Sequence, residues 1–415
     1  MRILTDMYDN RDKAAKKNQM IAAVMCSVLM IVLGMSDSLR GVFAPVFKET
    51  FGLSNTKVSM IISVSYAGNL IFLFIGGKLL DTFKKKTVML CTLLMWMSAL
   101  LLYFFTKSYT LLLCGMIFSM GASTLLSTSV NIITPILFMS PGLMMNLFNF
   151  TQGVGISGGQ NAAAVFADGF RSWQIINLVM FGVGVAAFFL LLAVKIPDIS
   201  TDKNIKPTTY MSIIKNPAFF LLILMCGFYY IPEHGLQNWL TTYASEHLGF
   251  TVSEGSFFTG LFYAFMTVGR LIFAVLVNKL GPKKSLFIFS VFYSVLYIVG
   301  VAAGKSGMYI LCAAGLGNSV LWPTFIYLIQ LYYPPESRGK AVGLVTGLST
   351  FFDIGFNALF GALTERIGFA VSIYILPAAS VLFLVPFSIL VFGVKKSREI
   401  AVSYTHLRAH ETGAY

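Results

Sequence analysis

The feature that most constrains this chain is a succession of long apolar runs separated by short polar connections. A helix needs about 20 apolar residues to cross the hydrocarbon core of a bilayer. None of the runs alternates with the period of a membrane β-strand. The sequence therefore predicts an all-α membrane protein with twelve transmembrane helices, near residues 19–47, 56–80, 86–106, 109–137, 143–167, 173–195, 217–245, 253–278, 284–304, 307–332, 339–365 and 369–394.

Composition excludes the other large classes of protein. Hydrophobic residues make up 57% of the chain and charged residues 11%, whereas a soluble domain carries about 25% charged residues. The net charge of +13 lies in the connections rather than on one basic face, so nucleic-acid binding is not expected. The five cysteines lie in apolar segments without a Cys-x-x-Cys pair, so we expect neither disulfides nor a metal site, and no cofactor.

Lysine and arginine counts predict the orientation in the membrane. With the amino terminus in the cytoplasm, about 20 basic residues fall on the inner side and about 6 on the outer side. The polar connection 196–216 divides the chain. We therefore expect a cytoplasmic tail (1–18), a six-helix bundle (19–195), a cytoplasmic linker (196–216), a second six-helix bundle (217–394) and a second cytoplasmic tail (395–415). Residues 403–415 resemble translated adaptor sequence and are expected to be non-native; a metal pair at His406 and His410 is an alternative.

The two predicted bundles carry related loops. Gly77, Asp81, Lys85 and Lys86 follow the second helix, and Asn278, Lys279 and Lys283 follow the eighth in a similar order. With twelve helices and a central loop, these motifs resemble the major facilitator superfamily. The resemblance implies two pseudo-symmetric bundles, transport by alternating access and a gating role for Asp81 and Asn278.

Two charged residues of the first helix, Asp37 and Arg40, stand where charge is costly. Their i, i+3 spacing places both on one helix face. They could form an internal ion pair, Arg40 could snorkel, or both could lie at a helix end. Alternatively, Asp37 carries a coupled proton and Arg40 is its charge partner, since burial favours protonation of carboxyl groups.

The seventh helix contains Pro232 and Gly235, which predict a break beside polar side chains. Glu233, Gly235, Trp239 and Tyr243 resemble the seventh helix of fucose-permease-like sugar transporters; interfacial anchoring of the two aromatic residues is the alternative. Pro323 predicts a further break in the tenth helix. The predicted substrate-binding residues are Tyr230, Glu233, Gln237, Asn238, Trp239, Trp322 and Asn357.

The remaining charged candidates are Asp353 and Arg270. Asp353 belongs to a polar stripe on the eleventh helix and joins Asp37 and Glu233 as a proton-coupling candidate; helix–helix hydrogen bonding is the alternative. Arg270, near the Asn278 loop, is expected to act in gating or, alternatively, to bind an anionic substrate.

These features favour a secondary transporter rather than an enzyme, because no catalytic motif or ATP site occurs. We expect proton-coupled import of a sugar or sugar derivative by a monomer in a bacterial inner membrane. The alternatives are a proton-coupled exporter of drugs or amphiphiles, an organic-anion carrier that uses Arg40, and a membrane-embedded sensor.

Overall fold

The computed structural model describes residues 2–139, 141–166, 169–197, 210–334 and 337–393, and residues 403–415, with His406 and His410, lie outside them. Its helices are α1 (Arg2–Val42), α2 (Ala44–Phe51), α3 (Asn55–Thr82), α4 (Lys85–Phe105), α5 (Tyr109–Leu137), α6 (Pro141–Phe166), α7 (Phe170–Ala193), α8 (Tyr210–Ile214), α9 (Ala218–Glu246), α10 (Val252–Leu280), α11 (Pro282–Ala302), α12 (Met308–Gln330), α13 (Arg338–Ile367), α14 (Phe369–Ser372), α15 (Ile375–Leu382) and α16 (Leu384–Gly393). A short 3₁₀ turn at Gly304–Gly307 lies between α11 and α12.

Eleven segments of the described chain are long and apolar enough to cross a membrane. They correspond to eleven of the twelve predicted spans. The predicted span 143–167 is also helical, as α6, but it is not among the eleven. Five amide side chains between residues 146 and 161 lower its hydropathy. The all-helical membrane architecture expected from the apolar runs is confirmed.

Three local predictions about helix ends and breaks are wrong. The first span ends at Val42 instead of residue 47, and Pro45 lies in the first turn of the separate helix α2, where its missing N–H has no intrahelical acceptor to lose. Helix α9 is continuous through Pro232, and α12 is continuous through Pro323. One proline removes a single intrahelical hydrogen bond, and neighbouring packing in a bundle can hold the helix together.

The last predicted span is divided into the short helices α14 to α16. Gly368 has a φ of +76°, in the left-handed region that glycine favours, and separates α13 from α14. Pro377 and Pro386 each lie in the first turn of a short helix. Proline is tolerated there and disfavoured farther along a helix, so the division follows the proline spacing.

The chain forms two compact units. The first comprises Met1–Asp202, Leu236–Ala264 and Ile354–Ser372. Within it, α1 and α6 pack backbone to backbone: a Cβ built on Gly155 would overlap the carbonyl oxygen of Ile31. Small residues permit this close approach.

The second unit comprises Lys203–Gly235, Phe265–Asp353 and Ile373–Tyr415. Within it, α11 and α12 pack closely, since a Cβ on Gly317 would stand 2.9 Å from the Cα of Tyr293. The two predicted bundles, 19–195 and 217–394, remain a prediction.

Candidate functional site

The first group of candidate residues surrounds Arg40 in the first unit. Arg40 lies in the last turn of α1 and is only 4% exposed. Its Nε donates a hydrogen bond to Oδ1 of Asn238, at 3.1 Å, and its Nη1 contacts the sulfur of Met120 at 2.8 Å. The guanidinium carbon lies 4.6 Å from the ring centroid of Tyr66. The position at a helix end agrees with one of the alternatives for this residue, but the side chain is buried and does not snorkel.

Asp37 precedes Arg40 by three residues but does not pair with it. Its Oδ2 accepts a hydrogen bond from the hydroxyl of Ser123 at 2.7 Å, and its Oδ1 is buried without a hydrogen-bond partner. The ion pairs found within the described ranges, Lys48–Glu246 and His234–Asp353, include neither Asp37 nor Arg40. The ion-pair alternative is therefore wrong for this structure.

Asn238 connects the Arg40 group to α3. It is fully buried, and its Nδ2 donates to the hydroxyl of Tyr66 at 3.1 Å. The backbone of α9 approaches α1 closely here, because a Cβ built on Gly41 would overlap the carbonyl oxygen of Gln237. Gln237 is itself 6% exposed. Asn238 thus holds the guanidinium through Oδ1 and the tyrosine through Nδ2.

Trp239 and Asn357, both predicted substrate-binding residues, contact each other inside the first unit. Nε1 of Trp239 donates to Oδ1 of Asn357 at 2.9 Å, and both side chains are fully buried. The indole also packs on Phe360, with ring centroids 5.1 Å apart. This pair fastens α9 to α13. A direct contact with substrate stays a prediction for both residues.

The second group of candidates lies in the second unit and centres on His234 and Asp353. Nδ1 of His234 lies 2.9 Å and 3.0 Å from the two carboxylate oxygens of Asp353. The Asp353 side chain is 1% exposed, whereas that of His234 is 23% exposed. The pair is ionic only when the imidazole is protonated, so its charge state depends on proton binding.

Aromatic rings adjoin this pair. The ring of Tyr230 stacks on the imidazole of His234, with centroids 4.7 Å apart and an interplanar angle of 24°. Trp322 of α12 contacts Tyr230 at 5.6 Å and stacks on Tyr229 at 5.6 Å. Tyr230 and Trp322, predicted separately from α9 and α12, are therefore neighbours, and both are only partly buried.

Glu233 lies on α9 next to His234 and is 7% exposed. Its Oε2 has no hydrogen-bond partner within the described chain. The carbonyl of Pro232 accepts a hydrogen bond from the hydroxyl of Tyr297 at 3.1 Å. The polar backbone beside the proline is thus used by a side chain of α11. Glu233 thus places a carboxyl oxygen without a hydrogen bond on α9, the helix that also carries His234.

The predicted gating residues are only partly described. Asp81 and Asn278 lie in α3 and α10, but their side chains fall outside the described part of the structure. Arg270 is half-buried; its Nη2 lies 4.0 Å from the sulfur of Met266, and its Nε is buried without a hydrogen bond. The gating roles of these three residues remain predictions.

Three residues with direct roles in these groups were not identified from the sequence: His234, Ser123 and Tyr66. His234 was recognisable in principle, because an ionisable residue within an apolar span is a functional candidate by default. Ser123 and Tyr66 gave no comparable signal, since hydroxyl groups are common in membrane helices. Among the described residues, no group of three or more histidine, cysteine or acidic side chains could hold a metal ion.

Comparisons with known proteins agree with this architecture. The family model of the Major Facilitator Superfamily matches residues 26–352. A putative glucose/galactose transporter of Helicobacter pylori is 27% identical over 223 residues, which cover 51% of this chain and 53% of the relative. The match thus spans about half the length of that relative.

Two solved transporters share the fold. The crystal structure of a D-xylose-proton symporter has a TM-score of 0.76 at 12% identity, covering 92% of this chain and 98% of that one. The E. coli fucose:proton symporter FucP has a TM-score of 0.65 at 17% identity, covering 91% and 100%. The family model matches most of the chain, and the fold agrees. The chain therefore belongs to the Major Facilitator Superfamily, a family of multi-pass membrane transporters and not of enzymes.

Proposed function

We propose that the protein imports a small polar solute, a sugar or sugar derivative, together with a proton. The observation that carries the proposal is the His234–Asp353 pair, stacked against Tyr230 and adjoining Trp322 through it. A titratable pair can bind the proton and the neighbouring aromatic rings can bind the solute, and such a transporter needs both. The name of the Helicobacter relative, a putative glucose/galactose transporter, and the xylose and fucose proton symporters among the structural neighbours support it.

The aromatic rings supply the solute-binding half of this proposal. Ligand sites are lined mainly by aromatic and apolar groups, with a few polar groups that orient the ligand. Tyr230 and Trp322 offer ring faces on which the apolar side of a sugar ring can stack. The unsatisfied Oε2 of Glu233 would accept a hydrogen bond from a sugar hydroxyl. We therefore assign solute contact to these three residues.

The His234–Asp353 pair supplies the proton-binding half. In the ion-paired form, the imidazolium Nδ1–H donates to the ionised carboxylate. A further proton on Asp353 neutralises the carboxylate and removes the ion pair. Binding of one proton thus changes the contact between α9 and α13, two helices that both contribute to the second unit. This change couples protonation to the conformation of the carrier.

The setting of this function follows from the charge distribution. We propose a monomer in the inner membrane of a bacterium. The lysine and arginine counts support the placement of both termini in the cytoplasm. The solute and the proton would then enter from the outer side.

The test is the external pH of a lightly buffered suspension of de-energised cells that express the full chain. Galactose, glucose, xylose and fucose are added in turn, beside a panel of sugar derivatives. The expected result is alkalinisation of the medium after addition of one sugar, absent from empty-vector cells. Without flux of any sugar or sugar derivative in wild-type cells or proteoliposomes, the proposed substrate class is wrong.

A variant and a control test the role of the His234–Asp353 pair in proton coupling. His234→Gln should abolish the alkalinisation but retain exchange of labelled sugar across the membrane, because exchange needs no net proton transfer. His247→Gln is the matched control, since His247 is exposed at the end of α9. Equal alkalinisation by wild type and His234→Gln would refute the role of the pair.

A further inference from the structure

Three exposed lysines meet at one end of the first unit. Lys16 and Lys17 lie at the start of the membrane span of α1, and Lys195 follows the end of α7 by two residues. Two hydrogen bonds join the segments that carry them. Nδ2 of Asn18 donates to the carbonyl oxygen of Lys195 at 3.0 Å, and the backbone N–H of Lys195 donates to Oδ1 of Asn18 at 2.8 Å. These contacts hold the three lysines near one another.

Lys86, at the start of α4, fixes the segment that leads to Lys195. Its Nζ donates to the carbonyl oxygens of Leu192 and Val194, at 2.8 Å each. The last carbonyl groups of a helix have no donor within the helix, so the ammonium group of Lys86 supplies one. Lys86 is therefore used inside the protein, and the position of Lys195 is fixed from two sides.

The positive charge of the three exposed lysines is not balanced by the described part of the chain. The two ion pairs found there involve other residues. Like charges that lie close together repel each other and attract a counter-ion. The end of the unit formed by α1 and α7 is therefore a cationic surface that favours an anionic partner.

Exposed apolar side chains continue from this cationic surface into the membrane span. On α1, Met20 and Val24 are exposed and follow Lys17 at i+3 and i+7, so the three share one helix face. On α7, Phe189 and Leu192 are exposed as well. At a rise of 1.5 Å per residue, the stripe on α1 runs about 10 Å from Lys17 to Val24. A cationic end with an apolar stripe beneath it matches an amphiphile that has an anionic head.

We propose that Lys16, Lys17 and Lys195 bind the head group of an anionic phospholipid, whose acyl chains lie along the exposed apolar side chains of α1 and α7. The lipid phosphate would bridge the two helices where the Asn18 amide joins them. A phosphatidylglycerol head carries a net negative charge, whereas a phosphatidylcholine head also carries a quaternary ammonium that lysines repel. This inference concerns the lipid partner of the protein and is independent of the transported solute.

Lipid binding to the purified full chain in detergent micelles tests the proposal. Phosphatidylglycerol and phosphatidylcholine with identical acyl chains are titrated, and native mass spectrometry counts the bound molecules. We expect phosphatidylglycerol to bind about tenfold or more tightly, and to raise the melting temperature more, because a ligand of the folded state stabilises it. Equal affinity for the two lipids overturns the proposal.

Variants locate the site on the protein. Lys17→Gln and Lys195→Gln should each weaken phosphatidylglycerol binding by about fivefold, the contribution of one lysine near an anionic head group, and the double variant by about 25-fold. Both side chains are exposed, so these variants should fold as the wild type does. Lys107→Gln is the matched control, since Lys107 is exposed beyond the opposite end of α4. Undiminished preference for phosphatidylglycerol in the double variant overturns the assignment.

A water-soluble head group separates a lipid site from a simple phosphate site. Glycerol phosphate carries the same anionic group as phosphatidylglycerol but has no acyl chains to lie along α1 and α7. We expect it to bind at least tenfold more weakly than the lipid and to leave the melting temperature unchanged at equal concentration. Binding as tight as that of phosphatidylglycerol would show a site for free phosphate compounds and overturn the lipid assignment.

Discussion

The close packing of α1 against α6 yields a stability prediction with an internal control. A Cβ added at Gly155 would overlap the carbonyl oxygen of Ile31 and stand 2.8 Å from its carbonyl carbon. The clash is therefore with backbone atoms, which no change of side-chain rotamer can move. A Cβ added at Gly158, one turn along the same helix, meets nothing within 4 Å. Gly155→Ala and Gly158→Ala therefore differ only in what the new methyl group meets.

The magnitude follows from two opposing contributions. Overpacking costs about 1–3 kcal/mol in the free energy of unfolding. Replacing a helical glycine by alanine contributes about 0.5–1 kcal/mol of stability. Only the second contribution acts in Gly158→Ala, whereas the first dominates in Gly155→Ala. Because the alanine contribution acts in both variants and cancels, we expect them to differ by about 1–3 kcal/mol, the cost of overpacking alone.

Thermal unfolding in detergent micelles checks this prediction. Fluorescence-detected size exclusion after heating gives the temperature at which half of each variant remains folded. Because membrane proteins unfold irreversibly in such scans, both variants are heated at the same rate. Gly155→Ala should melt below the wild type, and Gly158→Ala at or above it. Equal melting temperatures for the two variants would refute the packing argument.

Two further predictions concern polar contacts of the first unit. Trp239→Phe should lower the free energy of unfolding by about 0.5–1.5 kcal/mol, because it removes the 2.9 Å hydrogen bond to Oδ1 of Asn357; thermal melting measures the loss, and an unchanged midpoint would contradict it. A double-mutant cycle on Lys48→Ala and Glu246→Ala should give a coupling energy of no more than about 1 kcal/mol, because both side chains are 29% exposed and the pair is screened. A larger coupling would show that this ion pair is shielded from solvent.

The apolar runs predicted the helices well because membrane burial depends on local composition. A stretch of about 20 apolar residues satisfies its backbone internally wherever it stands in the chain. The helix breaks were predicted poorly, since the effect of proline depends on neighbours. Pro232 stays inside a continuous helix, and the Tyr297 hydroxyl binds its carbonyl oxygen. No local pattern shows that tyrosine.

In the candidate site, too, the sequence predicted individual residues but not the contacts between residues on different helices. Asp353 and Glu233 were recognisable individually, since carboxyl groups are costly in a membrane. The pairing of Asp353 with His234 joins residues 119 positions apart, and that of Arg40 with Asn238 joins residues 198 apart. Sequence spacing carries no information on contacts between different helices. Only the packed structure shows that Arg40 meets an amide instead of the nearby Asp37.

The composition of the first unit has a consequence for biosynthesis. Arg40 is synthesised 198 residues before Asn238, an interval of roughly 10–40 s at 5–20 residues per second. During that time the last turn of α1 holds a cation without its later partner, at a position where the cost lies below the value of about 2.5–3.5 kcal/mol for an arginine at the centre of a membrane helix. The apolar remainder of α1 must therefore keep the helix inserted until α9 emerges from the ribosome. Ribosome stalling between these two segments would leave an insertion intermediate whose one unpaired arginine is exposed to the quality-control machinery of the membrane.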